Sequence, residues 1–264
     1  MLDRRDWLKL AGLAVVGRPL AARVSFPTTV ADRVERLYAS PGPHPNGLQA
    51  TRDGLWILDQ QTGRASLVEI DTGKVIRELA TPADRPSGIT VEGAWLWIAS
   101  TYNRKLIKLD AETGALVAQY ESPGSGVVKW GAPSPNAVPT GGHGLEWKAG
   151  ELYLAVPPAV AIFVLRSRDA AVVRSFPSPG IRPHGLGWDP DGALWCAESN
   201  YRAFFKLDPA TGRIIKQHML PFEGPEVNGK VVIPHGMTIW QRHIYFSSAE
   251  TAEIYRTPLV SRAA

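Results

Sequence analysis

Five short stretches decide how this chain folds: Asn46-Gly47-Leu48, Ser87-Gly88-Ile89, His143-Gly144-Leu145, His184-Gly185-Leu186 and His235-Gly236-Met237. Each places a glycine at the head of a short apolar strand, and a shared grammar follows each one. A turn comes next, at Asp53-Gly54, Glu92-Gly93, Gly150 and Asp191-Gly192. A second strand carries an aromatic residue near its start: Trp56, Trp97, Tyr153, Trp195 and Tyr245. A third strand alternates apolar positions, as in Leu106 to Leu109 and Phe204 to Leu207. Thr-Gly turns at Thr72-Gly73, Thr113-Gly114 and Thr211-Gly212 then lead into a fourth strand.

Four short strands per unit, repeated radially, define an all-β, five-bladed β-propeller. Each sheet buries its faces against its neighbours, so no unit is stable alone. The anchors at 46, 87, 143, 184 and 235 are separated by 41, 56, 41 and 51 residues. The longer gaps hold Pro/Gly-rich insertions, 123–141 and 222–233, each too short for a further blade. The fifth unit lacks an outer strand. A match for it lies at the front, where Val34-Glu35-Arg36-Leu37-Tyr38-Ala39-Ser40-Pro41-Gly42 resembles the fourth strand of the third unit, Val172 to Gly180. The N-terminal strand is therefore expected to close the ring in the last blade, pairing two otherwise open edges. A β-sandwich with coincidental spacing is the competing fold.

The composition is ordinary for a globular chain: 264 residues, 44% hydrophobic and 20% charged. The single cysteine, Cys196, rules out an internal disulfide. The formal charge of +4 is concentrated at the start. Arg4, Arg5, Lys9, Arg18 and Arg23 stand against Asp3 and Asp6, which leaves +1 on everything after residue 23. No basic run interleaved with aromatics follows, so nucleic-acid binding has no electrostatic basis. Residues 3–9, Asp-Arg-Arg-Asp-Trp-Leu-Lys, precede a short apolar stretch from Leu10 to Gly17, the shape of an export signal. The paired arginines resemble a twin-arginine signal; a soluble helix is the alternative. On this reading 1–23 is a signal segment and 24–264 a single propeller domain, periplasmic or secreted. No other stretch is a transmembrane candidate.

In a propeller the innermost strands converge on the axis, so residues at equal register form rings. The residue before each anchor glycine is Asn46, Ser87, His143, His184 or His235. The second strands end at Asp59, Ser100, Val156, Glu198 and Ser248, at the same mouth of the channel. Three imidazoles in one ring are a ligand set for a divalent metal ion, with zinc or magnesium the expected occupant. The bland alternative is that each histidine satisfies backbone groups of its own turn. His143, His184 and His235 are thus candidate metal ligands, with His184 and Glu198 the candidate catalytic pair. Asn46, Asp59, Arg85 and Arg182 are candidate contacts to a small-molecule substrate; the two arginines share a rim register suited to an anion. His44 is placed on the rim, His218 in an outer strand and His243 in a hairpin turn. The second-strand tryptophans read as blade packing, and Cys196 as buried and inert.

The run Arg182-Pro183-His184-Gly185-Leu186-Gly187-Trp188-Asp189-Pro190-Asp191-Gly192-Ala193-Leu194-Trp195-Cys196-Ala197-Glu198 is similar to the repeat of virginiamycin B lyase-like (streptogramin lyase) propellers, of the NHL type. Lys206 to Gly212 continues that repeat. The resemblance implies a catalytic histidine at His184, a glutamate at Glu198, a further active-site histidine at His143 and an assisting magnesium ion. Arg182 departs from the family's glutamate at that position, and five blades depart from its seven. Histidines at this register in three blades also look like the zinc-bearing propeller of peptidyl-hydroxyglycine amidating lyases. The implied activity is a metal-dependent lyase or hydrolase acting on a small ester, lactone or carbinol. A non-catalytic periplasmic module presenting 123–141 and 222–233 to a protein partner is the other reading. If the export reading is right, replacing Arg4 and Arg5 by Lys leaves precursor in the cytoplasm, visible by fractionation; undiminished export of that variant would count against it.

Overall fold

A computed structural model describes residues 25–221 and 226–259. The expected signal segment, 1–23, lies outside the described residues, as does part of the 222–233 insertion. Five four-stranded blades circle one axis. The first comprises Pro45–Thr51, Gly54–Asp59, Arg64–Val68 and Val75–Ala80, and the second Gly88–Glu92, Trp95–Ser100, Lys105–Asp110 and Leu116–Glu121. The third runs Leu145–Lys148, Glu151–Val156, Ala161–Arg166 and Ala171–Pro177, and the fourth Pro183–Trp188, Leu194–Glu198, Ala203–Leu207 and Ile214–Met219.

The fifth blade is a composite. Met237–Trp240, His243–Ser248 and Glu253–Pro258 form its inner three strands, and Glu35–Ala39 supplies the outer one, antiparallel, with Glu35 opposite Arg256 and Ala39 opposite Glu253. The ring therefore closes as the sequence led us to expect. Side chains reinforce the joint: Arg36 pairs with Glu253, and Arg256 Nε donates to Glu35 at 3.0 Å. One strand was not anticipated. Thr28–Val30 adds to the outer edge of the fourth blade in parallel, with Thr29 opposite His218. Thr29 Oγ1 lies 2.9 Å from His218 Nδ1, and that histidine is fully buried beneath the added strand.

Alternation along each strand sends apolar side chains to both faces of the blade. Five apolar clusters result, one in each gap between neighbouring blades. Trp56, Leu58 and Leu67 meet Ile89, Leu96 and Ile107 between the first and second blades. Tyr153, Ile162 and Val164 meet Leu186, Cys196 and Phe205 between the third and fourth. Leu48, Leu55 and Ile57 meet Ile254 across the gap that closes the ring. The second-strand aromatics Trp97, Trp195, Tyr153, Trp56 and Tyr245 are all buried in this packing.

At the axis the anchor glycines let the inner strands touch backbone to backbone. A Cβ on Gly144 would sit 1.8 Å from the carbonyl oxygen of His184, and one on Gly88 would sit 2.1 Å from that of His143. A Cβ on Gly185 would meet the Met237 nitrogen at 2.1 Å. Gly47, Gly88, Gly144, Gly185 and Gly236 line this waist together, and it has no room for water. The channel is thus closed in its middle, and the histidine mouth is a blind cup. Gly144→Ala should cost about 3 kcal/mol or more, because a backbone carbonyl must move. Gly93→Ala, at a turn with nothing within 4 Å and φ of +59°, should cost about 1 kcal/mol from its left-handed backbone alone. Denaturant midpoints compare the two; equal costs would show that the waist tolerates side chains.

Candidate functional site at the channel mouth

The cup is a 440 Å³ cavity above the glycine waist. His44, Asn46, Arg85, Tyr102, Trp130, His143, Arg182, His184 and His235 are among the residues that line it. The inner strands bring the three ring histidines together: the rings of His143 and His184 are 4.7 Å apart and those of His184 and His235 are 4.6 Å apart, centroid to centroid. His44 is more than a rim residue; its ring stands edge-on to His235 at 6.5 Å.

Hydrogen-bond partners fix the tautomers. His184 Nδ1 faces the Arg182 carbonyl at 3.2 Å and Ser199 Oγ at 3.0 Å. Ser199 spends its own proton on the Pro234 carbonyl at 2.6 Å. Both partners of Nδ1 are therefore acceptors, so Nδ1 carries the hydrogen and Nε2 is a bare lone pair. His143 Nδ1 stands 3.1 Å from that lone pair and must donate to it. The chain leaves His143 Nε2 as a lone pair, buried and without a partner. His235 is held differently: its Nε2 donates to Glu250 Oε1 at 3.0 Å, and its Nδ1 is buried and unpartnered.

Electrostatics follow from enclosure. Burial, with the charges of His235 and Arg182 adding to it, pushes the His143 pKa down to about 3. Burial likewise depresses His184 far below the ordinary imidazole range, again with His235 and then His143 and Arg182 assisting. His44 is lowered by burial and by His235. Burial is the largest influence on the Glu250 carboxyl and raises it, but the hydrogen bond and charge of His235, a backbone hydrogen bond and the charge of Arg182 together outweigh it, so Glu250 is ionised at neutral pH.

The carboxylates that close the second strands have other work. Glu198 is fully buried; Oε1 accepts from the Arg182 backbone nitrogen at 2.7 Å and Oε2 from that of Tyr201 at 2.9 Å. Asp59 Oδ1 accepts from the backbone nitrogens of Gln61 and Thr62 and Oδ2 from that of His44. Ser100 and Ser248 take the nitrogens of Asp84 and Ile233 in the same way. These residues brace the entry to each inner strand, and neither Asp59 nor Glu198 lines the cavity. The reason is local: the chain turns back over the strand end and presents its amides to whatever acceptor stands there. Asn46 stays in the cup, with Nδ2 donating to Ser87 Oγ at 3.0 Å and Oδ1 buried without a partner.

Several contributors escaped the sequence reading. Ser199 and Glu250 each lie fifteen residues beyond the histidine they touch, and Tyr102 lies at the same offset from Ser87. That offset is a readable signal, one or two residues past the ring that we inspected. Trp130 comes from the 123–141 insertion, and its ring approaches His143 at 5.9 Å and His184 at 6.4 Å. Val128, Val138 and Thr140 of the same insertion also line the cavity. The insertion is thus a wall of the cup.

The metal set implied by the sequence meets a divergent geometry. Among the described residues no three His, Cys, Asp or Glu side chains are arranged to hold a metal ion. His143 Nδ1 and His184 Nε2 point at each other, and His235 Nε2 is taken by Glu250, so three nitrogens do not converge.

No family model and no curated protein sequence matches the chain. Solved structures share the propeller fold. The crystal structure of Myxococcus xanthus glutaminyl cyclase superposes with a TM-score of 0.69 at 12% identity, covering 90% of this chain and 100% of that one. A streptogramin B lyase structure matches at 0.54 and 15% identity, covering 86% and 98%. Virginiamycin B lyase from Staphylococcus aureus matches at 0.49 and 18% identity, covering 85% and 70%. At these identities the likeness is one of fold.

The buried histidines make stability depend on pH. A histidine with a depressed folded-state pKa binds fewer protons than the unfolded chain does, so its contribution is intact above about 6.5 and drains away as pH falls toward about 3. The thermal midpoint should drop between pH 7 and pH 4.5, and less steeply in His143→Gln. Parallel pH profiles for the two proteins would contradict the burial of a neutral His143.

Proposed function

We propose that this protein is an exported small-molecule enzyme of the lyase or hydrolase type, working at the cup by imidazole acid–base chemistry on an ester, lactone or carbinol. The observation that carries the reading is the pair of buried, unpartnered ring nitrogens, His143 Nε2 and His235 Nδ1, on two histidines that line one cavity. A buried polar atom left unpaired costs free energy and calls for an explanation, and a substrate partner supplies one.

Each histidine has its own support. His184, anchored to Ser199 and the Arg182 carbonyl, holds His143 with Nε2 free to accept a proton. Glu250 fixes His235 through Nε2, and His235 Nδ1 serves as the proton donor to a leaving oxygen. In elimination His143 takes a proton from the carbon beside a C–O bond, and the C–H electrons form a C=C bond as the C–O bond breaks; in hydrolysis it takes a proton from water, whose oxygen bonds to the carbonyl carbon before the C–O bond breaks. The bond electrons pass to oxygen, and His235 returns a proton there. This assignment moves the catalytic role from Glu198 to His143 and His235 and leaves His184 as the residue that positions the base.

The divalent metal, zinc or magnesium, remains a second reading on the same two nitrogens, since unprotonated imidazoles are its usual donors. Solved structures of the same fold include proteins named as a glutaminyl cyclase and a streptogramin B lyase. The alternative of a non-catalytic interaction module fits less well, because insertion 123–141 folds into the cup wall.

The test is a panel of chromogenic esters and lactones. His143→Gln and His235→Gln should each lower kcat/KM about 100-fold or more with the thermal midpoint at pH 8 within a few degrees of the parent. Glu198→Gln should instead lose stability before activity. Chelator should leave turnover unchanged, and protein purified without chelator should carry well under one equivalent of metal. Activity that survives both histidine substitutions would end the acid–base reading. One bound equivalent lost in His143→Gln would move the assignment to the metal.

A further inference from the structure

The cup carries two guanidinium groups that make no ion pair within 4 Å among the described residues, although the charges of Glu250 and Glu198 act on Arg182 from further away. Arg182 and Arg85 both line the cavity, from the fourth and second blades, on either side of the blade that bears His143. Arginines in ion pairs among the described residues lie elsewhere, at Arg36, Arg64, Arg174 and Arg256 for example. Glu250, the one acid bonded to a ring histidine, is engaged by His235. The cup is positive, and its imidazoles are held neutral at His143, His184 and His44.

Both guanidinium groups sit over aromatic rings. Arg182 lies over Trp130, 5.5 Å from the ring centroid, and Arg85 over Tyr102 at 4.7 Å. Stacking uses the flat face of a guanidinium and leaves its N–H edge free in the plane. For Arg182 that edge includes a buried Nε without a hydrogen-bond partner. Its backbone is pinned at both ends, the nitrogen by Glu198 and the carbonyl by His184. Arg85 is held at φ of +45°, a left-handed conformation that is unfavourable for a non-glycine residue. Such strain persists where the surroundings impose it, often at a ligand site.

We propose that the cup selects a small organic carboxylate, with the Nε edge of Arg182 taking the two carboxylate oxygens side by side and Arg85 supplying the second positive charge. This deepens the reading of the cup as a substrate site and rests on it. An Arg edge matches a planar carboxylate in a way that a lone ammonium cannot. Trp130, Tyr102, Val128 and Val138 give the rest of the ligand an apolar wall. The anion also answers a chemical difficulty. Burial and the Arg182 charge make His143 a weak base in the resting protein, and an arriving negative charge opposes both effects. Substrate binding would then restore the basicity that the proton transfer needs.

Calorimetric titration of the full protein with benzoate, benzamide and phenyl phosphate at low salt tests this directly. Benzoate should bind at least tenfold more tightly than benzamide, and raising the salt should weaken it. Arg182→Gln should lose tenfold or more in benzoate affinity, with partial retention in Arg182→Lys. Arg85→Gly, which fits the left-handed backbone, should keep the thermal midpoint and still lose affinity. Equal binding of benzamide, or parental benzoate affinity in both Arg182→Gln and Arg85→Gly, would overturn the proposal. Phenyl phosphate binding tenfold more tightly than benzoate would overturn the carboxylate assignment. Binding needs no turnover, so a protein that holds benzoate through these arginines yet cleaves no ester or lactone ends the catalytic reading alone. Turnover of a carboxylate-bearing ester with unchanged kinetics in Arg182→Gln ends this inference alone.

Discussion

Everything in this molecule depends on how closely five inner strands approach one axis. Five blades leave no space for side chains where the strands cross, so Gly47, Gly88, Gly144, Gly185 and Gly236 occupy the waist and backbone meets backbone. That contact sets the inter-blade spacing at the centre, and the apolar clusters of the five gaps fill the wedge that opens outward. It also fixes the residue before each glycine. Three imidazoles meet because their backbones cannot stand further apart.

The same closeness gives the site its chemistry. Sealing the waist makes the mouth a cup with protein on its floor, and the floor strips water from His143 and His184. Neutral imidazoles then form an ordered donor chain from His143 to His184 to the Arg182 carbonyl, each tautomer decided by the next. His235 stands outside that chain, held instead by Glu250. Three residues of one type at one register thus acquire separate roles from what stands behind each.

The fold was legible because its determinants are local and repeated. Anchor glycines, hairpin turns and second-strand aromatics recur with one spacing, and the displaced strand 34–42 announced itself by likeness to 172–180. The short parallel strand Thr28–Val30 was not legible, since three residues carry too little pattern and its partner edge lies in the fourth blade. The site was legible to the level of a ring. Register located His143, His184, His235 and Asn46 at one mouth, but it does not say which way a strand-end side chain faces. Glu198 and Asp59 were claimed by their own turns, where backbone amides outbid the cavity. Trp130 was beyond reach, because its position depends on how a nineteen-residue insertion folds back, and no periodicity governs that.

Ring closure by Glu35–Ala39 has a kinetic meaning. Its hydrogen-bonded partners, Arg256 to Glu253, are more than 200 residues away along the chain, so this pairing is among the most non-local contacts in the protein. Loop-closure entropy must be met before such a contact contributes, which places it late in folding and makes it slow. Until it forms, the last blade shows an open edge and the N-terminal strand has no template. The joint is therefore a checkpoint: a ring that has not been sealed is the form most exposed to proteases and to pairing with another chain.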